Sequence, residues 1–349
     1  MPSTANIRWF ADISLADRRT VGGKGGSLGE LTRANFPVPP GFVVTTLGFE
    51  RVLAELEREN PIRARAGTLS FEDLKAIRLL SQEICARFKS APLPKDVGAD
   101  LVAAQAELSA GDLDCPLAVR SSATAEDSEE ASFAGLQDTY LWVKGGEAIL
   151  DSLRACWASL YSVPSIAYRR KAQIPEHGVA IAVVVERMVD ARSAGVMFTR
   201  SPVTGDRSVI TIESIWGLGS ALVSGEVTPD RFVIGKITDQ ISLRDIADKR
   251  WRQVSAERGG IKPMETPEEL RQIPSISDGE LKALAEIGRK VERHYGRAQD
   301  VEWAIDRSGE ILLLQSRPET VWSARDQAPV AKPAANPLRH VMNIFGGRH

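Results

Sequence analysis

Two short segments near the end of the chain constrain the fold most, because their alternation of polar and apolar residues fixes how they pair. They span residues 300–306 and 311–315 and are joined by a polar stretch with one glycine. This pattern predicts a β-hairpin with a four-residue turn at residues 307–310. Three cross-strand pairs are expected in that register: Asp306 with Ile311, Glu302 with Gln315, and Asp300 with Arg317.

Side chains alternate between the two faces of a hairpin, so this register predicts one apolar and one polar face. The apolar face is expected to pack on the core: Val301, Trp303, Ile305, Leu312 and Leu314. The polar face collects Asp300, Glu302, Gln315 and Arg317. Two carboxylates and an amide oxygen suit Mg²⁺, and the arginine suits phosphate. The alternative is a half-exposed hairpin with an Asp300–Arg317 ion pair, and a one-residue change of register would weaken the cluster.

A glycine-rich segment early in the chain, residues 22–26, contains Lys24. We expect a loop here, followed by a helix with Ser27 as N-cap and Glu30 three residues later. Glycines allow backbone N–H groups to approach an anion, and the lysine adds a mobile positive charge that can reach a phosphate. The spacing fits neither a Walker A loop nor a G-x-G-x-x-G loop. A flexible glycine turn with an exposed lysine is the simpler interpretation.

A third segment combines an apolar strand with an arginine at its end. Residues 117–120 are expected to form this strand, and Arg120 offers a planar fork for phosphate oxygens. Residues 131–139 are small and include a glycine, which favours a lid whose N–H groups and Thr139 hydroxyl meet phosphates. An ordinary surface loop with a helix cap at Thr124 fits the sequence equally well.

The centre of the chain carries a valine-rich run, residues 179–188, which predicts a strand buried on both faces. If this strand lies between two domains with free edge groups, Glu186 and Met188 could border an adenine. Glu213, at the end of a later strand, could bind a ribose or a metal. A core strand and a glycine turn are the simpler interpretations of these two segments.

Charge and composition exclude several classes of protein. The formal net charge of -2 gives no field to hold a polyanion, so nucleic acid is not an expected partner. The three cysteines form no C-x-x-C pair, which favours a reducing cytoplasm. We expect neither a signal peptide nor a membrane span, because no apolar run approaches the roughly 20 residues needed. The four histidines are far apart in sequence, which argues against a histidine metal site.

Six segments in order along residues 21–321 resemble the nucleotide-binding domain of phosphoenolpyruvate synthase, pyruvate phosphate dikinase and rifampin phosphotransferase. They read VGGKGGSLGEL, VPPGFVVTT, AVRSSATAEDSEEASFAGLQDTYL, SAGVMFTRSPVTG, ESIWGLGSALVSGEVTPDRFVI and DVEWAIDRSGEILLLQSRPETV. The resemblance implies an α/β (α+β) fold of the ATP-grasp type, with two lobes that clasp ATP. We expect lobes at residues 1–185 and 186–322, and an Ala/Pro-rich flexible tail at residues 323–349.

The resemblance also implies a role for each candidate residue, with ATP and Mg²⁺ as cofactors. Lys24 and Arg120 are expected on the phosphates, and Thr139 in the phosphate lid. Glu302 and Gln315 would hold Mg²⁺, with Asp300 and Arg317 supporting the site. Glu186 and Met188 would lie at the adenine pocket, and Glu213 near the ribose.

Enzymes of this family continue past the segment corresponding to residues 317–320 into a swivelling domain with a phosphorylated histidine, whereas this sequence ends soon afterwards. We therefore expect a dikinase-type subunit that cleaves ATP to AMP and phosphorylates a histidine on a separate partner. The nucleotide-binding subunit of phenylphosphate synthase resembles this arrangement, with a small molecule as final acceptor. The alternatives are a stand-alone kinase acting directly on a small acceptor, a non-catalytic ATP sensor, and a fragment of a longer chain.

Overall fold

A computed structural model describes residues 5–112, 114–124, 138–320 and 322 of the chain. The first half is built on a five-stranded sheet with the spatial order β1-β2-β5-β3-β4. Its strands are β1 (Ile7–Trp9), β2 (Gly41–Val44), β3 (Leu117–Ala123), β4 (Thr139–Val143) and β5 (Ile181–Arg187). All neighbouring strands in this sheet are antiparallel.

Seven α-helices surround the first sheet in the described part of this half. They are α1 (Arg18–Arg33), α2 (Thr46–Glu57), α3 (Ile62–Thr68), α4 (Leu74–Ser90), α5 (Lys95–Leu108), α6 (Gly146–Ser159) and α7 (Val163–Lys171). Helices α2 to α7 and one face of the sheet enclose a large apolar core that includes Phe49, Phe88 and Trp157, whereas α1 packs on the opposite face. Each fully buried side chain of this size contributes roughly 1.5–3 kcal/mol to folding.

The second half is built on a six-stranded sheet with the order β13-β12-β6-β7-β8-β9. Its strands are β6 (Ala191–Phe198), β7 (Val209–Trp216), β8 (Asp230–Gly235), β9 (Ile241–Asp245), β12 (Gln299–Asp306) and β13 (Ile311–Pro318). A separate two-stranded ribbon consists of β10 (Trp251–Ser255) and β11 (Ile261–Glu265). The helices of this half are α8 (Ser220–Val223), α9 (Glu268–Arg271) and α10 (Asp278–Tyr295).

Helix α10 covers one face of the second sheet, and its ends follow from local sequence. Ser277 and Glu280 form a reciprocal capping box at the start, and Gly296 ends the helix in the left-handed conformation. The buried residues of the helix recur at three- and four-residue spacing: Leu281, Leu284, Ala285, Gly288 and Val291. This stripe packs on the inner face of the sheet, where Trp303 is fully buried.

The C-terminal hairpin forms with the predicted pairs at its open end but not at its turn. Asp300 pairs with Arg317 and Glu302 with Gln315, as the sequence predicts. Nearer the turn the register shifts by one residue, so that Ile305 rather than Asp306 lies opposite Ile311. The extra residue is Leu314, which forms a β-bulge.

The bulge changes which side chains face the core. Val301, Trp303 and Ile305 are buried as predicted, but Leu313 takes the core position on the partner strand. The prediction that Leu312 and Leu314 join this core is therefore wrong. Both instead pack against a small apolar cluster on the opposite face of the hairpin.

The glycine-rich segment is helical rather than a loop, which corrects the sequence expectation. Helix α1 runs through it with a kink at Gly22, whose φ of 73° is unfavourable for other residues. A Cβ on Gly22 would overlap the Ser122 carbonyl oxygen of β3. The glycines thus permit close packing of α1 on the sheet. Ser27 is not an N-cap, because its hydroxyl hydrogen-bonds the backbone of Ser316.

Two predicted features cannot be compared with the fold. Most of the lid at residues 131–139 and the tail at residues 323–349 lie outside the described residues. Within the described ranges, no helix combines the length and apolarity needed to cross a membrane.

Candidate active site

A cavity of about 770 Å³ lies between the two sheets, and it brings together residues from both halves of the chain. Strand β5 of the first sheet ends at Arg187 and strand β6 of the second begins at Ala191, so the chain crosses between the sheets beside this cavity. All ten candidate residues from the sequence line it: Lys24, Arg120, Thr139, Glu186, Met188, Glu213, Asp300, Glu302, Gln315 and Arg317. A volume of this size suits a small organic ligand.

Arg120 connects the two sheets across the cavity and is almost completely buried. Its Nη1 donates to Glu186 Oε1 at 3.2 Å and to the Leu314 carbonyl at 2.7 Å. Its Nη2 donates to Glu302 Oε2 at 3.1 Å and to Gln315 Oε1 at 3.0 Å. These four bonds account for all four terminal N–H groups of the guanidinium, so a phosphate would compete with protein acceptors for them.

Glu186 lies at the base of this network with only 3% of its surface exposed. Burial raises the pKa of its carboxyl above the ordinary value, although Arg120 acts in the opposite direction and Glu302 adds to the rise. Strand β5 has β2 on one side and β3 on the other, so the expected free edge groups are absent from residues 183–186, which pair with both neighbours. The Met188 amide is likewise bonded, to the Pro116 carbonyl at 3.0 Å.

Glu302 and Gln315 suit a divalent cation because their side-chain oxygens already converge on one cationic group, the Arg120 guanidinium. Mg²⁺ is commonly held by one or two protein carboxylates, with substrate phosphates and water as the other ligands. Among the described residues, no group of three or more His, Cys, Asp or Glu side chains could hold a metal ion by itself. These two residues would therefore rely on phosphate oxygens and water to complete the coordination of the ion.

Further charged pairs line the same cavity. Arg317 Nε lies 3.5 Å from Asp300 Oδ2, and the arginine is the more exposed partner. Glu213 Oε1 accepts hydrogen bonds from Arg231 Nε at 3.0 Å and ion-pairs with its Nη2 at 2.9 Å, which fixes the carboxylate at the cavity wall. Lys24 is 8% exposed, so the interpretation of it as an exposed lysine is wrong.

The opposite end of the cavity is apolar. Val189, Ala191, Ala194, Leu218 and Ala304 form a buried cluster, and all five also line the cavity. Sequence reasoning missed most of this wall, including the segment that passes through α8. The available signal was the resemblance of the segment ESIWGLGSALVSGEVTPDRFVI, which contains both Leu218 and α8. A flat apolar ring system bearing a charged chain would match this division into an apolar and a charged end.

The two described histidines lie away from the cavity. His177 is exposed, and His294 Nε2 lies 2.9 Å from Glu30 Oε1, with its ring packed edge-on against Phe36 and Tyr295. Neither residue lines the cavity.

The chain matches the family model described as pyruvate phosphate dikinase, AMP/ATP-binding domain, over residues 18–336. It is 42% identical over 316 residues to a probable phosphoenolpyruvate synthase of Methanothermobacter thermautotrophicus, covering 90% of this chain and 46% of that protein. It is 40% identical over 359 residues to the phosphoenolpyruvate synthase of Aeropyrum pernix, covering 94% and 44%.

A third relative is the rifampicin phosphotransferase of a Streptomyces species, 40% identical over 313 residues, which cover 88% of this chain and 35% of that protein. The chain thus spans less than half the length of these three relatives. The matches agree with the resemblance inferred from the six segments. The expected mixed α/β fold of ATP-grasp type is confirmed.

Proposed function

The chain belongs to the pyruvate phosphate dikinase AMP/ATP-binding domain family, and we propose that it binds Mg·ATP between its two sheets and donates a phosphoryl group from it. The observation that carries this proposal is the convergence of all ten candidate residues on one cavity. They come from both sheets, from α1 and from the connection between β5 and β6, so chance grouping is a poor explanation. The names of the relatives, synthases and a phosphotransferase, support transfer of phosphate.

In this proposal the charged end of the cavity receives the triphosphate and the apolar end receives the adenine. Lys24, Arg120 and Arg317 supply positive charge where negative charge develops during transfer. Glu302 and Gln315 would hold Mg²⁺, which would neutralise and orient phosphate oxygens when bound. Glu213, held by Arg231, accepts a hydrogen bond from the ribose. Met188 borders the adenine, Thr139 contacts the phosphates, and Asp300 orients Arg317.

We further propose that the β- and γ-phosphoryl groups pass together to a histidine on a separate polypeptide or domain, which breaks the bond between the β-phosphorus and the oxygen that bridges it to the α-phosphorus and releases AMP. Water or phosphate then attacks the outer phosphorus and carries that group away as phosphate or pyrophosphate, so that one phosphoryl group stays on the histidine. The family description pairs AMP with ATP, which supports AMP as a product. Neither described histidine reaches the cavity, which supports an acceptor that enters from outside the described residues. A small molecule such as a phenol would then receive the phosphoryl group from that histidine, as in a phenylphosphate synthase.

Labelled ATP tests this assignment. ATP carrying label at the β or the γ position is incubated with the protein alone, and with candidate histidine-bearing partners. Label on the partner together with AMP is the expected result. Label on a small acceptor without any partner would refute the histidine step and favour a stand-alone kinase. Binding of ATP without turnover in either setting would point to an ATP sensor.

Two variants test the site. Arg120→Ala and Glu302→Ala should each reduce transfer at least about a hundredfold, because the first removes positive charge beside the transferred group and the second removes a proposed ligand of Mg²⁺. Arg58→Ala and Glu55→Ala are matched controls, since these residues form an exposed pair outside the cavity wall. Wild-type rates in the two site variants would contradict the placement of the nucleotide.

A further inference from the structure

Arg120 donates to two sets of acceptors, and a metal ion would take only one of these sets. Nη2 bonds the side-chain oxygens of Glu302 and Gln315, the two residues proposed to hold Mg²⁺. Nη1 bonds Glu186 and the Leu314 carbonyl instead. A cation that takes the first two oxygens removes these two acceptors from Nη2 and leaves the Glu186 and Leu314 acceptors of Nη1 in place.

Glu186 is buried and contacts Arg120, as expected of a residue that positions the guanidinium. Its Oε1 accepts from Arg120, and its Oε2 is buried with no hydrogen-bond partner in the part of the chain that the structure describes. A buried carboxylate is costly unless a counter-charge compensates it. The described counter-charge in hydrogen-bonding distance is the Arg120 guanidinium.

The sheet itself sets this contact. Arg120 lies on β3 and Glu186 on the adjacent β5, where Glu186 pairs with Ala118. Because Ala118 and Arg120 are two residues apart, both point to the same face as Glu186. Arg120 and Glu186 are therefore diagonal neighbours on the central strands of one sheet, whereas Glu302 and Gln315 belong to the other sheet.

We propose that Glu186 is a positioning residue that keeps the Arg120 guanidinium at the phosphate end of the cavity when Mg²⁺ takes the oxygens of Glu302 and Gln315. This inference rests on the proposed function, since it concerns the same nucleotide site. It gives the Glu186 carboxylate a role distinct from the adenine contact that the family resemblance implies.

The direction in which ATP affinity changes when the Glu186 carboxylate is removed separates a positioning role from a simple charge effect. Removing a carboxylate near a polyphosphate should tighten ATP binding if only Coulomb repulsion matters. Removing a residue that holds the phosphate-binding arginine should weaken ATP binding instead. The two explanations thus predict opposite changes for the same substitution.

The test measures ATP affinity by calorimetry, with and without Mg²⁺, for the wild type, Glu186→Met and Glu186→Gln. We expect Glu186→Met to weaken Mg·ATP binding at least fivefold. Glu186→Gln retains an oxygen acceptor for Arg120, so it should weaken binding less, and it serves as the second variant should methionine impair folding. Glu226→Gln removes a carboxylate that bonds Gln253 rather than Arg120, and should change affinity less than twofold.

A double variant shows whether Glu186 acts through Arg120. In an Arg120→Met background, Glu186→Met should no longer weaken ATP binding. Tighter binding in Glu186→Met alone, or an equal loss in both backgrounds, would overturn the inference and leave the proposed function intact. A wild-type protein that binds no ATP would overturn the proposed function, and this inference with it.

Discussion

Replacing Lys249 with methionine tests how much one buried ion pair contributes to the stability of the second half. Lys249 Nζ donates to Asp230 Oδ1 at 2.6 Å, and both side chains are almost wholly buried. The Asp230 carboxylate also accepts from the Ala247 amide at 3.1 Å, and from the Ser275 amide and hydroxyl at 2.8 Å each. Methionine keeps most of the length of the side chain but removes the counter-charge.

The expected loss follows from what remains around Asp230. Removing one partner of a buried ion pair costs about 3–5 kcal/mol, because the other charge stays buried without compensation. Three neutral donors still bond the carboxylate, so we place Lys249→Met near the lower end, at about 3 kcal/mol. Adding Asp230→Asn to the Lys249→Met variant removes the uncompensated buried charge and should recover part of this lost stability.

The next residue provides a matched control. Arg250 also pairs with an aspartate, Asp248, at 2.9 Å, but 71% of its side chain is exposed. An exposed pair contributes about 0–1 kcal/mol, so Arg250→Met should cost less than about 1 kcal/mol. The two variants remove adjacent positive charges that differ mainly in burial.

Thermal unfolding compares the variants directly. For domains of 150–250 residues, 1 kcal/mol corresponds to roughly 2–4 °C, so Lys249→Met should lower the Tm by about 6–12 °C. Urea unfolding at constant pH gives the free energy independently. Equal losses for Lys249→Met and Arg250→Met would refute the reasoning, because they would show that the Asp230 charge is solvated or relaxes at little cost.

Two further predictions concern backbone packing and alkaline stability. Gly22→Ala should lower the free energy of unfolding in urea by more than about 2 kcal/mol, because the added Cβ would overlap Ser122. Gly145 also has a positive φ but lies in open space, so Gly145→Ala should cost only about 1 kcal/mol. Equal losses in the two variants would mean that α1 shifts to accommodate the added Cβ. Burial raises the pKa of Tyr295 to about 12, so the folded protein holds this proton more tightly than the unfolded chain. The stabilisation linked to this proton is complete below about pH 10 and is lost as the pH rises through 12. The Tyr295→Phe variant has no such proton, so by about pH 11.5 it should lose roughly 2 kcal/mol less stability than the wild type. Parallel pH profiles of the unfolding free energy would contradict this.

The elements that local sequence signals define could be predicted, and those without such signals could not. The bounds of helix α10, Asp278–Tyr295, can be predicted from the sequence, because a capping box, an apolar stripe and a C-terminal glycine agree. The β10–β11 ribbon was missed. Its second strand contains Pro263, which argues against a strand, and its side chains are largely exposed. Its pairing is set by tertiary contacts, including backbone bonds between Gln253 and the segment after β7.

The residues that line the cavity could be predicted far better than the hydrogen bonds between them. The residue types alone suggested a phosphate role for Lys24 and Arg120, and the hairpin pattern placed Glu302 beside Gln315. The acceptors of Arg120 could not be predicted, because they lie 66 residues away at Glu186 and 195 residues away at Gln315. Pairing of β3 with β5 brings Glu186 to Arg120, and only the packing of one sheet on the other brings Gln315 there.

The hairpin shows how the predicted pair at the site could be right while the turn was wrong. The Asp306 carboxylate accepts hydrogen bonds from the backbone amides of Ser308 and Glu310, and the Asp306 amide donates to the Glu310 carbonyl. These bonds shorten the turn by one residue relative to the predicted four. The bulge at Leu314 takes up the difference before the strand reaches Gln315.

The bulge is therefore not what the Glu302–Gln315 pair requires, and its contribution to the site is a different one. A regular hairpin on the same short turn, lacking Leu314, would still place Glu302 opposite Gln315, because the bulge supplies the one extra residue in β13. What Leu314 contributes is its carbonyl, which accepts the shortest of the four bonds made by the Arg120 terminal nitrogens, at 2.7 Å. The irregular strand thus supplies a backbone acceptor that holds the arginine without using either proposed metal ligand.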